Sequence, residues 1–462
     1  MRKQNIFGAV VFAAILVLSF GVVSAQEPVT IRWYVGLGAG TDAPTIAGQE
    51  AVVADFNATH DDIELVLEVV DNAQAYDVLN TQIAAGNAPD IVGPMGVRGR
   101  ASFPGAWLDL APLIESTNYD LSDFDPSLVE FYHIADEGQV GLPFAVFPYF
   151  MMYNKDLFDE ADLPYPPMNY GEPYVDADGV EHEWNIETVT ELARMLTVDA
   201  NGNDATMDGF DNTQIVQWGF GVSHTDVRGR DTLFGAANFV DADGNAVIPE
   251  NWRYAENWYH DAMYGPQAFY PSGAYAGSDL LAGGNWFGSG NVAMVPIHQW
   301  YMGWGTADLA DAWDIAPIPS YNGVTTAKLH ADTFGIMEYT QHPEEAFAVL
   351  SYLLGEKAEE LSTIYGGMPA RLSLQDGFYE RYVTTLSEQY PNTNFDINWD
   401  VAVQALAYPD NPNHEEGMPS FLESSARYTE YGQVVDNNAD ADVDAELDLL
   451  QTDLQAIFDA AS

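Results

Sequence analysis

The stretch "GLPFAVFPYFMMYNKDLF", residues 141–158, decides the fold. Seven Phe, Tyr and Met side chains lie between Phe144 and Tyr153, and no charge occurs in the stretch until Lys155. The rest of the chain is rich in carboxylates, with 70 Asp and Glu residues and only four lysines. Both the apolar run and the lysine near its end therefore require an explanation.

The composition excludes several classes of protein. The formal net charge is −55, and binding to nucleic acid is excluded because it requires clustered Lys and Arg to neutralise phosphates. A hydrophobic share of 47% and 11 Trp residues argue against a disordered chain. The simplest interpretation of the charge is a solvated acidic shell that keeps an exported protein soluble. Whether this shell reflects a saline habitat is left open.

The N-terminal residues have the pattern of a secretory signal. Arg2 and Lys3, an apolar run from Ile6 to Val23 and small residues before Gln26 predict a signal peptide at 1–25. An uncleaved anchor is the alternative, because roughly 18 apolar residues suffice to span a bilayer. The chain has no Cys, which excludes disulfides, thiol chemistry and a lipid-bearing cysteine. We therefore predict an exported protein that is periplasmic or associated with the cell surface.

Strand and helix patterns alternate after residue 28. Strands are predicted at 29–38, 63–70 and 89–94, and helices at 44–59 and 75–86. This alternation predicts parallel strands in an α/β architecture, with ligands at the carboxyl ends of the strands. Because no low-complexity linker divides the chain, two interwoven lobes fit better than two separate domains. Further elements are a strand predicted at 217–223 and helices predicted at 186–197, 343–354 and 441–460.

Motifs for catalysis, cofactors and metals are not found. Gly36, Gly38 and Gly40 follow a strand, but the third glycine is one position early for a dinucleotide loop, so a tight strand-to-helix turn is predicted. The nine histidines show no ligand spacing. We predict no catalytic residue, no cofactor and no metal site. Asp199–Asp211 departs from an EF-hand at positions 6 and 12, which predicts turns with local Asx hydrogen bonds and leaves Ca²⁺ binding open.

Aromatic residues are concentrated in Gly- and Pro-rich segments. Examples are "FPYF" at 147–150, "NWFGSGN" at 285–291 and "PIHQWYMGW" at 296–304. Aromatic rings in turns project more often than those on regular helices, and flat apolar faces edged with polar groups hold sugar rings. Ordinary core packing accounts for about half of these aromatics in a chain of this length. The pattern indicates a carbohydrate site.

Several segments resemble one known family in matching order. They are "APDIVGP" (88–94), "GAWLDLAPLI" (105–114), the stretch at 141–158, "FGSGNVAMVPIHQW" (287–300), "WDIAPIPSYNG" (313–323), "HPEEAFAVLSYLL" (342–354) and "GGMPAR" (366–371). Together they resemble the extracellular solute-binding proteins of ABC importers, the maltose-binding-protein-like sugar-binding group. The resemblance covers nearly all of the chain after the signal.

The resemblance implies a periplasmic-binding-protein-like fold, with two α/β lobes joined by a multi-crossing hinge and the ligand cleft between them. The first lobe is expected at 26–145 plus 330–364, and the second at 146–329 plus 365–462. Residues 141–155 are then expected to cross the hinge, line the cleft from Phe147 to Tyr149 and enter a strand buried on both faces. Such a strand is apolar, and Lys155 at its end is expected to meet local carboxylates.

The resemblance also implies a function without catalysis. The protein is expected to bind a carbohydrate by hinge closure, as a monomer, and to deliver it to the permease subunits of an ABC transporter. Two alternatives are an exported glycoside hydrolase or lyase, and a binding protein for a peptide or polyamine. Whether the sugar is neutral or acidic is left open.

Ligand contacts are carried over by position. Trp300 falls on a stacking Trp of the maltose-binding relative and Arg98 on a sugar-contacting Arg, while Phe147 replaces an acidic contact. "VRGR" occurs at 97–100 and 227–230; these arginines either bind an anionic sugar or, as we favour for Arg100, Arg228 and Arg230, neutralise nearby carboxylates. The remaining candidate ligand-binding residues are Tyr149, His298, Gln299, Tyr301, Asp332, Met368, Arg371 and Asp42.

Overall fold

The computed structural model describes residues 27–134, 137–225, 227–307, 309, 312–415 and 417–461. The predicted signal peptide at 1–25 lies outside the described residues. Within the described ranges, no helix combines the length and the apolar character that crossing a membrane requires.

The strands form two main sheets and three small hairpins. In chain order they are β1 (Val29–Val35), β2 (Ile63–Val69), β3 (Ile91–Met95), β4 (His133–Ile134), β5 (Gly138–Gln139), β6 (Leu142–Phe147), β7 (Tyr149–Asn154), β8 (Tyr174–Val175), β9 (Glu181–His182), β10 (Val198–Asp199), β11 (Ile215–Phe220), β12 (Val292–His298), β13 (Trp313–Ala316), β14 (Ser320–Tyr321), β15 (Val324–Thr325), β16 (His330–Ile336) and β17 (Met368–Pro369).

Helices cover both sheets. In chain order they are α1 (Ala43–Thr59), α2 (Asn72–Ala84), α3 (Val97–Ala101), α4 (Ala111–Thr117), α5 (Pro126–Phe131), α6 (Lys155–Glu160), α7 (Ile186–Met195), α8 (Val227–Asp231), α9 (Glu250–Tyr264), α10 (Gly273–Ala276), α11 (Pro343–Leu353), α12 (Ala358–Tyr365), α13 (Phe378–Gln389), α14 (Asp400–Ala405), α15 (Phe421–Asp436) and α16 (Val443–Ala461).

The first sheet has six strands in the order β17-β6-β16-β3-β1-β2. β1 pairs in parallel with β2 and β3, as the strand and helix alternation predicts. β16 is antiparallel to both β3 and β6, and β17 is antiparallel to β6, so the sheet is mixed rather than purely parallel. The second sheet has five strands in the order β10-β11-β12-β7-β13. Helix α1 packs on β2 of the first sheet and α7 on β11 of the second. Each sheet therefore has its own layer of helices, as in a two-lobe α/β fold.

The apolar stretch at 141–158 connects the two sheets. β6 belongs to the first sheet and β7 to the second, and only Pro148 lies between them. All residues of both strands are buried, which explains the absence of charge because a strand covered on both faces has no solvated side. Lys155 Nζ lies 2.8 Å from Asp314 Oδ2 on β13, so the lysine pairs with a local carboxylate as predicted.

The chain returns from the second sheet to the first at β16. The predicted lobe boundaries at 145/146, 329/330 and 364/365 stay a prediction. β17 lies beyond the last of these boundaries and pairs with β6 of the first sheet. The C-terminal helices pack elsewhere: Phe378, Tyr382 and Leu386 of α13 join the apolar core of the second sheet.

Local sequence explains where the helices start. Asp42 accepts a hydrogen bond from Thr45 N and caps α1, whose first residues include Pro44; a carboxylate at this position satisfies an otherwise unpaired N–H.

On α16, Leu447, Leu450, Leu454 and Phe458 are buried. The apolar face predicted for this helix is confirmed.

The predicted Asx turns at Asp199 are also confirmed. Asp199 Oδ1 accepts from the backbone N–H groups of Asn201 and Asn203, at 2.8 and 2.9 Å. Its other oxygen accepts from Asp211 N at 2.9 Å. These bonds hold the pKa of Asp199 well below its usual range against the opposing effect of burial.

A buried ionic cluster joins the second lobe to α15. Arg230 Nη2 lies 3.1 Å from Glu256 Oε2 and 3.0 Å from Asp436 Oδ1. Its guanidinium also lies 4.6 Å from the ring centroid of Tyr259. The expectation that Arg230 neutralises nearby carboxylates is confirmed. The guanidinium carbon of Arg228 lies 5.6 Å from the ring centroid of Phe421.

Asp231 in the same cluster is fully buried and lies within hydrogen-bonding reach of Glu256. Burial, with the charge of Glu256 as the next cause, raises the pKa of Asp231 well above its usual value. A raised pKa favours the protonated form of this carboxyl, whose hydroxyl can donate to Glu256. Two adjacent buried carboxylates would otherwise repel each other without a compensating hydrogen bond.

Asp231→Asn is expected to become more stable relative to the wild type as the pH rises. The pKa of Asp231 is higher in the folded state than in the unfolded state, where it is about 3.9. The proton therefore contributes to the free energy of unfolding fully below the unfolded pKa, and this contribution is lost as the pH rises through the folded pKa. The wild type should lose about 1.4 kcal/mol per pH unit relative to the variant, from roughly pH 5 upward. Denaturant unfolding at several pH values measures this difference.

Asp241→Asn is the matched control, because hydrogen bonds from the Asn245 backbone and side chain hold the pKa of Asp241 below its usual range. The difference in free energy of unfolding between Asp241→Asn and the wild type should not change with pH above about pH 5, because a group with a lowered pKa affects the pH dependence of stability only in acid. A flat difference for Asp231→Asn as well would contradict a buried proton at Asp231.

Candidate functional site

A cleft of about 790 Å³ lies between the two sheets. On the first lobe it is lined by the turns after β1 and β3 and by the start of α2, which are the carboxyl ends of parallel strands. On the second lobe it is lined by the turn after β12 and by the end of α13. β16 and the loop before α15 complete it. A concave site of this size at strand ends suits a small-molecule ligand.

Glycines allow the turn after β1 to pass close to its neighbours. A Cβ on Gly36 would lie 2.4 Å from Val70 O, and one on Gly40 would lie 2.7 Å from Tyr365 Cε1. The φ angles of these glycines are +153° and +112°, which favours glycine at Gly40 in particular. The predicted tight strand-to-helix turn is confirmed, and it forms one wall of the cleft.

Parallel aromatic rings line the second-lobe wall. The indoles of Trp300 and Trp304 are 6.3 Å apart between centroids and 6° from parallel, and the His224 ring lies 5.2 Å from Trp304 at 8°. Trp300 packs against the apolar cores of both sheets, so it sits where the lobes meet. Trp304 is 44% exposed and its Nε1 donates to Trp300 O at 3.0 Å, which fixes one indole relative to the other.

Asp332 on β16 points its carboxylate into the cleft. It is 8% exposed, and among the described residues no hydrogen bond or ion pair reaches its side-chain oxygens. Gly96 makes room for it, since a Cβ there would lie 3.3 Å from Asp332 Oδ1. Burial, and then the charge of Glu415, raises the pKa of Asp332 to about 7. A buried carboxyl without a protein partner is costly unless a ligand satisfies it.

Arg98 is the cation of the first-lobe wall. It is exposed in the cleft, and its guanidinium carbon lies 5.5 Å from the ring centroid of Tyr76. In the part of the chain that the structure describes, no carboxylate pairs with it. Arg98 is therefore held by an aromatic face while its hydrogen-bond donors stay available. In the other copy of "VRGR", Arg228 and Arg230 are buried outside the cleft.

Three further ligand-type side chains lie together at the cleft. His330, His414 and Glu415 each offer an atom within 4.8 Å of the others, and all three line the cleft. The rings of His330 and His414 are 6.2 Å apart and 20° from parallel.

The sequence of this chain matches the model of bacterial extracellular solute-binding proteins over residues 43–360. This span is more than half of the 462 residues. The chain belongs to this family. The resemblance inferred from the sequence is thus confirmed, and the family is one of extracellular proteins. No curated protein matches the sequence of this solute-binding protein.

Solved structures with the same fold cover nearly the whole chain. The ABC substrate-binding protein Lmo0181 from Listeria monocytogenes, in complex with cycloalternan, has a TM-score of 0.70 at 18% identity, covering 93% of this chain and 99% of its own. UgpB from Mycobacterium tuberculosis, in complex with glycerophosphocholine, has a TM-score of 0.69 at 16% identity, and the match covers 94% of this chain and 99% of UgpB. The cyclic alpha-maltosyl-1,6-maltose binding protein from Arthrobacter globiformis has a TM-score of 0.65 at 18% identity, and the match covers 94% of this chain and 100% of that protein. These similarities show the fold.

Of the ligand-binding residues predicted for this solute-binding protein, five line the cleft. They are Asp42, Arg98, Phe147, Trp300 and Asp332. Asp42 also has a structural role, because its carboxylate caps α1. That these five contact ligand stays a prediction.

The neighbours of Trp300 in sequence lie behind the cleft wall. Gln299 is fully buried; its Nε2 donates to Gly366 O at 2.9 Å and its Oε1 accepts from Tyr379 at 2.7 Å. The Tyr301 hydroxyl donates to Asn285, and the His298 ring stacks on His330 at 3.6 Å. These partners already use the polar groups of Gln299 and Tyr301.

The other predicted candidates also lie outside the cleft lining. Tyr149 is buried with Lys328 Nζ 5.1 Å from its ring centroid, and Met368 is buried on β17. Arg371 Nη1 pairs with Asp123 Oδ2 at 3.3 Å, and its Nη2 donates to Tyr119 at 2.9 Å. Sequence reasoning did not single out several residues that do line the cleft, namely Tyr76, Asp77, His224, Trp304, His330, His414 and Glu415. Trp304 stood within the aromatic segment at 296–304, which was the only signal for any of them.

Proposed function

We propose that this solute-binding protein binds a neutral oligosaccharide in the cleft and delivers it to the permease of an ABC transporter. The observation that carries the proposal is the pair of parallel indoles, Trp300 and Trp304, facing a cleft of about 790 Å³. Indole faces stack on the C–H faces of sugar rings, while polar side chains meet the hydroxyls. Two of the similar structures are named for sugar ligands, which supports the same class here.

The charges of the cleft favour a neutral sugar. Among the described residues that line it, Asp42, Asp77, Asp332 and Glu415 are acidic, and Arg98 is the one Lys or Arg. A uronate would meet more repulsion than attraction in this setting. The similar structure in complex with glycerophosphocholine makes a phosphodiester a second candidate that Arg98 favours.

Closure of the two lobes would complete the site. The lobes are linked by the short connection between β6 and β7, and each contributes one wall. Contacts that form only when both walls touch the ligand favour the closed state. The export, the monomeric state and the permease partner are inferred from membership of the family.

A thermal-shift screen tests the proposal. The panel contains neutral and acidic oligosaccharides, glycerophosphodiesters, amines and peptides, because a ligand that binds the folded state raises its melting temperature. Neutral oligosaccharides should give the largest shift, with a Kd that calorimetry then measures. Stabilisation by amines or peptides alone would overturn the proposal. Release of new reducing ends from any bound glycan would instead show a hydrolase or lyase.

Asp332→Asn is expected to weaken binding of the best oligosaccharide by roughly tenfold or more. Above the Asp332 pKa of about 7 the carboxyl is charged. A hydrogen bond to a charged acceptor contributes about 1.5–3 kcal/mol, whereas the amide offers a weaker, neutral acceptor. Calorimetric titration of the wild type and the variant at about pH 8, above this pKa, measures the change in Kd. Asp178→Asn, on the exposed turn between β8 and β9, is the matched control and should bind as the wild type. Equal Kd values for both variants would remove Asp332 from the site.

A further inference from the structure

Two imidazoles and a carboxylate converge at one end of the cleft. His330 begins β16, while His414 and Glu415 lie in the loop before α15, and their candidate ligand atoms are within 4.8 Å of one another. Three ligands of this kind with an open fourth position make up the donor set of zinc sites that bind an exogenous ligand. Two imidazole nitrogens favour Zn²⁺-like transition metals over Ca²⁺ and Mg²⁺, which prefer oxygen.

The Nδ1 atom of His414 is already hydrogen-bonded to a carboxylate. His414 is 2% exposed, and its Nδ1 lies 3.0 Å from Asp410 Oδ2. Since the carboxylate accepts, Nδ1 carries the proton and the lone pair is on Nε2. A carboxylate behind a ligating histidine is the usual outer-shell arrangement in metal sites. Asp410 is itself fixed, because its Oδ1 accepts from Leu329 N at 2.8 Å.

Glu415 supplies the negative charge. Within the described ranges no cation pairs with its carboxylate, and its backbone N–H donates to Asn413 Oδ1 at 2.9 Å, which holds the loop in place. Asn413 Nδ2 also donates to Asp410 Oδ2 at 3.2 Å. The loop is therefore tied together before any ion binds, and the second unpaired carboxylate of this region, Asp332, adds to the attraction for a cation.

We propose that His330, His414 and Glu415 bind one divalent transition-metal ion of the Zn²⁺ class at the cleft. The proposal does not depend on the identity of the organic ligand. The ion's open coordination position would face the cleft, where an oxygen of a bound solute or a water can occupy it.

Metal binding at His330 changes the hydrogen bonding of Trp300. Trp300 Nε1 donates to His330 Nδ1 at 3.3 Å. A neutral imidazole has a single nitrogen lone pair in the ring plane. If Nδ1 binds the metal, that lone pair is used; if Nε2 binds it, Nδ1 carries the proton. In either case the indole N–H loses its acceptor, so the metal and Trp300 are coupled.

The test is calorimetric titration of the full chain with ZnCl₂ in excess MgCl₂, which occupies the acidic surface. The wild type should bind one Zn²⁺ per chain. Asp410→Asn removes an outer-shell partner and should weaken Zn²⁺ affinity by roughly 10- to 100-fold. Glu415→Gln and His414→Ala each remove a ligand and should weaken Zn²⁺ affinity by more than this. His182→Ala, which removes a histidine paired with Asp176 on an exposed hairpin, is the matched control and should bind as the wild type.

Glu415→Gln decides the outcome, because Glu415 is only half-buried and its replacement leaves the packing of His414 intact. The proposal is overturned if the wild type takes up no stoichiometric Zn²⁺ in excess Mg²⁺, or if Glu415→Gln binds it as tightly as the wild type. Zn²⁺ should also change the tryptophan fluorescence of the wild type, and this change should be lost in Trp300→Phe. An identical change in Trp300→Phe would overturn the coupling to Trp300.

Discussion

Trp300→Ala is expected to weaken oligosaccharide binding by at least about 2 kcal/mol, or roughly 30-fold in Kd. Trp300 packs against the cores of both sheets and lies parallel to Trp304, so its ring is an aromatic surface at the junction of the lobes. Large aromatic side chains in such central positions dominate binding energies, because they bury a wide apolar face at little entropic cost. Calorimetry with the best sugar of the thermal-shift panel measures the change.

Trp300→Phe should restore part of this affinity, since a smaller aromatic face still stacks. Tyr339→Ala is the matched control, because Tyr339 is an exposed aromatic residue that does not line the cleft. The control should bind the sugar as the wild type does. If Trp300→Ala and Tyr339→Ala both bind the sugar with the affinity of the wild type, the proposal that the sugar stacks on Trp300 is wrong.

Arg230→Met is expected to lower the free energy of unfolding by about 3–5 kcal/mol at neutral pH. The guanidinium contacts Glu256 and Asp436, and Glu256 and Asp231 are both buried beside it. Removing the cation leaves buried negative charge without compensation, which costs far more than the ion pair contributes. The loss should be smaller in acid, because protonation of the carboxyls then removes the uncompensated charge.

Arg253→Met is the matched control for this change. Arg253 pairs with Asp448 at 2.7 Å, but Asp448 is largely exposed, and pairs of this kind contribute only about 0–1 kcal/mol. Denaturant unfolding of both variants at neutral and acidic pH gives the comparison. If Arg230→Met and Arg253→Met lower the free energy of unfolding by similar amounts, burial of the Arg230 cluster does not increase its contribution to stability.

Local patterns predicted most elements but not the pairing of distant strands. Helical spacing located α1, α11 and α16, and apolar runs located β1 and β2, because side-chain periodicity reports burial directly. The insertion of β16 between β3 and β6 was not predicted from spacing. Its partners lie far away along the chain, and no local pattern encodes which edge a returning strand joins.

The candidate site was predicted only where the family resemblance provided a position. Trp300 lines the cleft, whereas Gln299 and Tyr301 do not, since they share a 3₁₀ turn in which successive side chains point about 120° apart. His330 and His414 share no motif and come together only through folding. Spacing along the sequence therefore indicated no metal ligands.

The placement of β16 has a consequence for how the protein reaches its native state. A nascent chain that ends before residue 330 has β1–β3 and β6 but lacks the strand that joins them, so its first sheet is in two pieces. Contacts so remote in sequence make folding slow and late. The first sheet can thus close only after β16 has been synthesised, whereas all five strands of the second sheet precede residue 330, so we expect the second lobe to form its sheet earlier on the growing chain.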